Sequence, residues 1–298
     1  MKNFGSYLEQ LRKERGLSRL DFCGDESELS IRQLVRIEKG QSQPTIQSMT
    51  YIGKRLGVPS YTLLPDYQEL PKRYKELKYL LLRVPVHGRG DIFDEKEQYF
   101  DEIYESFYEN LPDEEKISID TIQATIEVMR TTEVIYADSI LDEYLEPVLQ
   151  KEVWTQGELL IIRLYFVKTR FANLETSDKI NDIFRLLPKQ FPFIMHEELF
   201  ILRDVLISGL NCFQDITACP NLEEVIDSLK LIMTTTQDFQ KKPIILMLEW
   251  KYQLDRNNDF SVATQLYQSA KLFAEVVEDE LLATRLEEEW KKDLKKYL

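Results

Sequence analysis

Arg32, Gln33, Arg36 and Lys39 are the side chains best placed to do chemistry, four donors within eight residues. They are interleaved with Leu29, Leu34 and Ile37, whose helical spacing gives one apolar face and leaves the rest positive. Ser30 opens the run and Gly40 closes it, and Ser30-x-x-Gln33 fits a capping box in which hydroxyl and amide satisfy orphan N–H groups. A helix of about two and a half turns with this division of faces is what a DNA major groove accepts. A guanidinium in its first turn, here Arg32, can set two parallel donors on guanine O6 and N7, worth about 1–3 kcal/mol of discrimination. Gln33 has two open uses, reading a base or capping its own helix. Glu38 is expected to serve inside the fold, as a salt bridge or a cap.

Little else in the chain suggests reactive chemistry. The two histidines, His87 and His196, are too few for a metal cluster, and Cys23, Cys212 and Cys219 lack C-x-x-C spacing. No H-E-x-x-H, G-x-S-x-G or Walker loop appears. His196-Glu197-Glu198 reads as an acidic helix start, and Asp113-Glu114-Glu115 as an acidic cluster without converging partners. No enzyme, metal or cofactor is expected.

The totals bound the class. A chain of 298 residues with 43% hydrophobic and 30% charged residues is long enough for two globular domains, and 10 Gly and 11 Pro favour helices. No N-terminal apolar run resembles a signal peptide and no apolar run is long enough to span a membrane, so cytoplasm is the expected compartment, with the cysteines as buried thiols. The net charge of −14 divides unevenly: residues 1–66 carry 10 Lys and Arg against 8 Asp and Glu, which leaves −16 for the remainder. Such asymmetry points to different partners for the two parts.

Elements that would position the Arg32 helix can be read on either side of it. Phe4, Leu8 and Leu11 share a helical face that stops at Gly16. Ser18-x-x-Asp21 caps a short helix carrying Leu20 and Phe22. Thr45 caps a fourth helix, with Ile46, Met49, Ile52 and Leu56 inward, that stops at Gly57. The series Leu17-Ser18, Leu29-Ser30, Arg36-Ile37-Glu38-Lys39-Gly40, Pro44-Thr45 and Leu56-Gly57-Val58 closely resembles the Cro/repressor-type helix-turn-helix family. That resemblance implies a third helix in the major groove of double-stranded DNA. It places Ser30, Arg32 and Gln33 at base edges, Arg36 on a base or a phosphate, and Ser18, Arg19, Lys39 and Thr45 on phosphates.

Pro65 to Pro71 reads as a hinge, giving a head of residues 1–66, a linker of 67–71 and a body of 72–298. Helices are expected to begin near Arg73, Lys96, Ile119, Val134, Glu158, Ser177, Glu197, Leu222, Ile244, Ser261 and Glu280. Eleven helices in consecutive pairs predict an all-α chain, a helix-turn-helix bundle followed by a tetratricopeptide-like α-solenoid. Ala263-x-x-x-Tyr267-x-x-Ala270 matches the second helix of such a repeat, with Trp250 on the helix before it.

A head and body of this kind resemble the Rgg/ComR-type peptide-sensing regulators, the likeness resting on residues 29–40, 51–57, 63–64, 103–112 and 270–279. The resemblance implies a short, hydrophobic imported signalling peptide on the concave face. It implies a monomer when free, with its recognition helix held against the acidic body, and a homodimer on a palindromic operator when activated, switching on competence or other quorum-controlled genes. In that scheme an Asp or Glu of the body would neutralise Arg32. Arg83, Arg89 and Lys96 form a basic cluster that could receive the peptide carboxylate or simply be solvated; the family's carboxylate-binding residue falls near Lys96. Arg203 and Asn211 either pair with the peptide backbone or are ordinary surface residues. The last helix, with Leu281, Leu282, Leu286, Trp290 and Leu294 on one side, either caps the solenoid or docks on a second subunit. Two other readings stay open: a peptide-independent Cro-type repressor with a dimerisation body, and a protein-binding regulator with a vestigial head.

Overall fold

The computed structural model describes residues 4–63, 69–83, 90–174, 178–277 and 279–297. Among these residues there is no strand. Four helices form the N-terminal head: α1 (Phe4–Glu14), α2 (Arg19–Cys23), α3 (Ile31–Glu38) and α4 (Ile46–Leu56). Ser18 and Asp21 cap α2 reciprocally, Ser30 and Gln33 do the same for α3, and the Thr45 hydroxyl accepts from the Ser48 N–H at the start of α4. The head core gathers Leu8, Leu11, Phe22, Leu29, Leu34, Ile37, Ile52 and Leu56, with Met49 partly buried against it. Truncating one of these to Ala would cost about 2–5 kcal/mol. Leu20 instead faces out, 62% exposed. The Ile46 side chain, and the Pro65–Asp66–Tyr67–Gln68 part of the expected hinge, lie outside the described residues.

From Lys72 the chain continues as α5 (Lys72–Arg83), α6 (Gly90–Ser106), α7 (Asp113–Thr131), α8 (Asp138–Leu149), α9 (Gln156–Phe171) and α10 (Asp178–Leu186). Then come α11 (Leu199–Leu210), α12 (Leu222–Thr236), α13 (Lys242–Tyr252), α14 (Phe260–Val276) and α15 (Glu280–Tyr297). Most begin within two residues of expectation. Helices α6 and α7 begin six residues early, near acidic residues: Asp94 and Glu95, then Asp113, Glu114 and Glu115. Acidic side chains favour a helix N-terminus through its dipole, a signal that apolar periodicity does not carry.

Two compact units emerge, residues 1–174 with 192–205 and residues 175–191 with 206–298. The first therefore holds the head together with α5 to α9. In it α7 packs on α9, and α5 on α6, around Tyr74, Leu77, Ile103, Ile119, Leu159 and Phe166. Asp113-Glu114-Glu115 does have converging partners, contrary to the sequence reading. The buried Glu115 carboxylate accepts from the Lys78 ammonium at 2.8 Å and from the Tyr74 hydroxyl. Those partners lie some forty residues back in the chain, beyond any local pattern.

In the second unit α14 lies between α13 and α15. Ala263 and Ala270 are wholly buried, the close approach that small residues permit, and Tyr267 stacks on Trp290 with centroids 4.8 Å apart. The Trp250 indole donates to Asp293 at 2.8 Å, and the Lys251 ammonium pairs with the same carboxylate. Leu286 and Trp290 are thereby buried, so α15 covers the end of this helix group within its own chain. Leu281 stays 46% exposed beside the turn after α14, where Val276 and Val277 are also open.

Candidate functional site

The recognition face is built from beneath. Glu38, at the end of α3, is buried; one carboxylate oxygen accepts from Arg12 Nε and the other from Arg19 Nε, each at 2.7 Å. Arg12 also donates to the Leu17 carbonyl at 2.6 Å. One carboxylate thus ties α1, α2 and α3 together, the internal role expected of Glu38. Losing that carboxylate would strand the Arg12 charge in the core.

Above this network the polar side chains of α3 are open. Arg32, Gln33, Arg36 and Lys39 are exposed, and Ser30 is half-buried as the cap. Gln33 spends its Oε1 on the Ser30 N–H, at 3.0 Å, so it caps its helix while its amide N meets no acceptor among the described residues. Ser18 and Thr45 are exposed caps, and Arg19 is half-buried, with Glu9 at 3.6 Å as a second acidic neighbour. Among the described residues Arg32 makes no ion pair. No acidic body residue among the described ones neutralises it.

The reason lies in how the head meets the rest of its unit. Within that unit, contact runs through α4 and the end of α1. Gly57 caps α4 with φ of 63°, and a Cβ there would run into the Phe193 carbonyl. Arg55 lies over the Phe193 ring, 5.1 Å from its centroid, and Met195 packs on the head core. Arg15 has its Nε buried without a hydrogen-bond partner, and faces the charge of Glu198. Burial pushes Glu198 up to about 7, with Lys78 and Arg15 drawing it back and Glu197 and Glu115 adding to the rise. A cavity of about 250 Å³ opens at the same junction, lined by Thr50, Lys54, Val58 and Pro59 of the head and by residues of α7, α8 and α9.

The residues expected to meet a peptide divide by environment. Lys96, on α6, is 2% exposed, and its ammonium donates to the Leu81 carbonyl of α5. Burial pushes its pKa down to about 8, the Arg163 charge adding to the effect while Glu95 and Asp204 oppose it. It is not a solvated loop lysine. Arg83 is half-buried with its guanidinium over the Phe200 ring, 5.2 Å from the centroid. Arg203 is buried and donates to Asp204 at 2.9 Å. Asn211 is exposed in the second unit. Arg89 and His87 lie outside the described residues.

Arg163 was not singled out by sequence. Its signal is a lone charge inside the apolar run Leu159–Val167 of α9, where most neighbours are buried on every side. Among the described residues no His, Cys, Asp and Glu group could hold a metal, and no helix is long and apolar enough to cross a membrane. The three cysteines are buried and free, and burial raises Cys23 and Cys219 to about 11.

Comparison with known proteins follows the same lines. Residues 71–290 match the ComR tetratricopeptide family. ComR from Streptococcus suis is 39% identical over 98% of this chain and 96% of its own, with a TM-score of 0.58. ComR from S. thermophilus, solved in complex with DNA and its signalling peptide ComS, is 26% identical over 97% and 99% of the two chains, with a TM-score of 0.65. The competence regulator ComR from S. vestibularis, in complex with its cognate signalling peptide XIP, is 28% identical over 98% and 99%, with a TM-score of 0.64. No curated protein matches the chain.

Proposed function

The chain belongs to the ComR tetratricopeptide family, and from that premise we propose that it is a transcriptional regulator switched by an imported short peptide. Residues 1–66 form the DNA-binding part, 67–71 the linker, and 72–298 the part that binds peptide and dimerises. The regulator works in the cytoplasm, without catalysis, as an activator of competence or other quorum-controlled genes.

One observation carries the reading: α3 is locked from below by Glu38 while Arg32, Gln33, Arg36 and Lys39 face solvent. Exposed cations on a rigid short helix meet phosphates and guanine edges without a desolvation cost paid in advance. Ser30, Arg32 and Gln33 take the base edges, Arg36 a base or phosphate, and Ser18, Arg19, Lys39 and Thr45 the phosphates. Arg19 reaches phosphate while keeping Glu38, since its guanidinium is only half-buried. On the peptide side Lys96 receives the terminal carboxylate, a buried cation whose hydrogen-bond partner among the described residues is a carbonyl. Arg83, Arg89, Arg203 and Asn211 are assigned to the rest of the peptide. Two protomers on a palindrome would set their recognition helices about 34–36 Å apart or a multiple of it.

The test is selection of bound duplexes from a random pool, with and without short aromatic-rich peptides, followed by mass measurement of the complexes. Peptide-dependent enrichment of a palindrome with two protomers bound supports the proposal. A palindrome enriched equally without peptide makes the protein a peptide-independent repressor, a reading that Arg32, in no ion pair among the described residues, also favours. No enrichment at all leaves a protein-binding regulator with a vestigial head.

A further inference from the structure

The cavity of about 250 Å³ at the junction of head and body plays no part in the peptide reading. None of the described residues assigned to the peptide, Arg83, Lys96, Arg203 or Asn211, lines it. Much of its wall is apolar: Val58 and Pro59 come from the head, Ile117 from α7, Pro147 and Val148 from α8, and Ile161 from α9. Several polar groups on the wall are already committed. The Glu158 carboxylate accepts from the Thr155 N–H at 2.9 Å and pairs with Lys151, and Glu115 holds Lys78 at 2.8 Å. The Ser118 hydroxyl donates to the Glu114 carbonyl at 2.9 Å. Water in such a space finds few partners, and an apolar body that displaces it gains the burial. One charge is left over. Lys54, in the last turn of α4, lines the cavity half-buried and makes no ion pair among the described residues. Glu114, the carboxylate that stands at the rim, is exposed, so water screens it.

We propose that this cavity is a second ligand site, separate from the peptide's, for a small aromatic carboxylate. Its ring packs against Tyr144, Pro59 and Pro147, and its carboxylate takes the Lys54 ammonium. Flat ring and proline surfaces suit a planar apolar body, and a half-buried ammonium without an ion pair suits a single negative charge. A neutral amide of the same shape forfeits the charge-assisted bond. Head and body each supply part of the wall, so the ligand binds only the arrangement in which both stand together. Occupation therefore opposes any change that parts them, by as much as the ligand prefers the closed junction. The binding itself does not depend on the peptide reading.

The probe is indole-3-acetate, compared with indole-3-acetamide, added to the full chain and followed by ligand-observed NMR and by hydrogen exchange. Wild type should bind the acid in the millimolar range, as a fragment of this size allows, and the amide about tenfold more weakly. Lys54→Met should weaken the acid by about tenfold and leave the amide unchanged. Ile117→Trp, which sets an indole where the ligand's ring would lie, should weaken both by about tenfold or more. Lys54→Met alone decides the matter if Ile117→Trp does not fold. At about ten times its dissociation constant the acid should slow exchange about tenfold at amides that open with the junction, in α4 and also in α8 and α9. Slowing on one wall only would put the acid elsewhere and overturn the site. No millimolar binding of the acid, equal binding of acid and amide by wild type, or a preference for the acid kept in Lys54→Met would overturn it as well.

Discussion

The recognition face of α3 and the interior around Lys96 both concentrate positive charge, and they hold it in opposite ways. On α3 the cations stand in water and the fold spends a single buried carboxylate, Glu38, on keeping their platform rigid. Lys96 stands inside, 2% exposed, its ammonium on the Leu81 carbonyl and in no ion pair among the described residues. Exposed charge costs the folded state almost nothing and is screened by salt. Buried, unpaired charge is a standing penalty that a ligand of opposite sign can relieve. The first arrangement suits a surface that is always ready, the second a site whose energy changes on occupation.

The largest break in this comparison comes from Glu38→Ala. Arg12, 4% exposed, would lose its partner at 2.7 Å, and the head should be destabilised by about 3–5 kcal/mol, read as lost amide protection in residues 4–63 by hydrogen exchange. Unchanged protection would mean that the network is ornamental. Lys96→Met should do the reverse and stabilise the empty protein by about 2 kcal/mol at pH 7, because a Lys held down to about 8 penalises the fold while protonated. That gain should vanish on the way from pH 8 to 10.5, where wild type sheds the proton, and urea titrations at the two pH values would detect it.

Arg32→Ala should leave urea stability within about 0.5 kcal/mol of wild type and cost about 1–3 kcal/mol of affinity for the selected duplex, by fluorescence anisotropy at fixed salt. A stability loss instead would place Arg32 among the structural arginines. Between the two regimes sits Glu198, half-buried at the junction of head and body and pushed up to about 7. A carboxyl raised in the folded state stabilises it fully below its unfolded value near 4.5 and loses that contribution as pH rises through 7. Wild type should lose about 1 kcal/mol of stability between pH 5 and 8 from this group, and Glu198→Gln should flatten that part of the profile. The smallest effect is expected of Lys39→Ala: weaker binding to every duplex alike, with the salt slope reduced by about one.

Much of the head could be read in one dimension. The capping boxes at Ser18 and Ser30, the cap at Thr45 and the inward Leu29, Leu34 and Ile37 are all local, because a helix start is settled by residues three apart and a helix face by residues three or four apart. The tetratricopeptide signal at Ala263, Tyr267 and Ala270 was legible for the same reason. The docking of the head through Gly57 and Phe193 was not, since those residues are distant in sequence and Gly57 looked only like a helix stop.

For the candidate sites the division is sharper. Sequence could place Arg32 in the first turn of a positive helix, because its environment there is water and its role follows from type and position. It left Lys96 in a basic cluster that a solvated loop would explain equally well, and passed over Arg163, because whether a cation is wet or dry is a property of the neighbours that other helices bring.

What the amino-acid order determined by itself is therefore the set of helices, their caps and the outward chemistry of α3, each governed by interactions within one or two turns. Only the tertiary structure decided that Glu38 binds two arginines, that Glu115 gathers Lys78 and Tyr74, and that Lys96 lies buried against the Leu81 carbonyl. Desolvation is the physical reason. It depends on packing between segments tens of residues apart, and it changes what a charge can do without changing the residue that carries it.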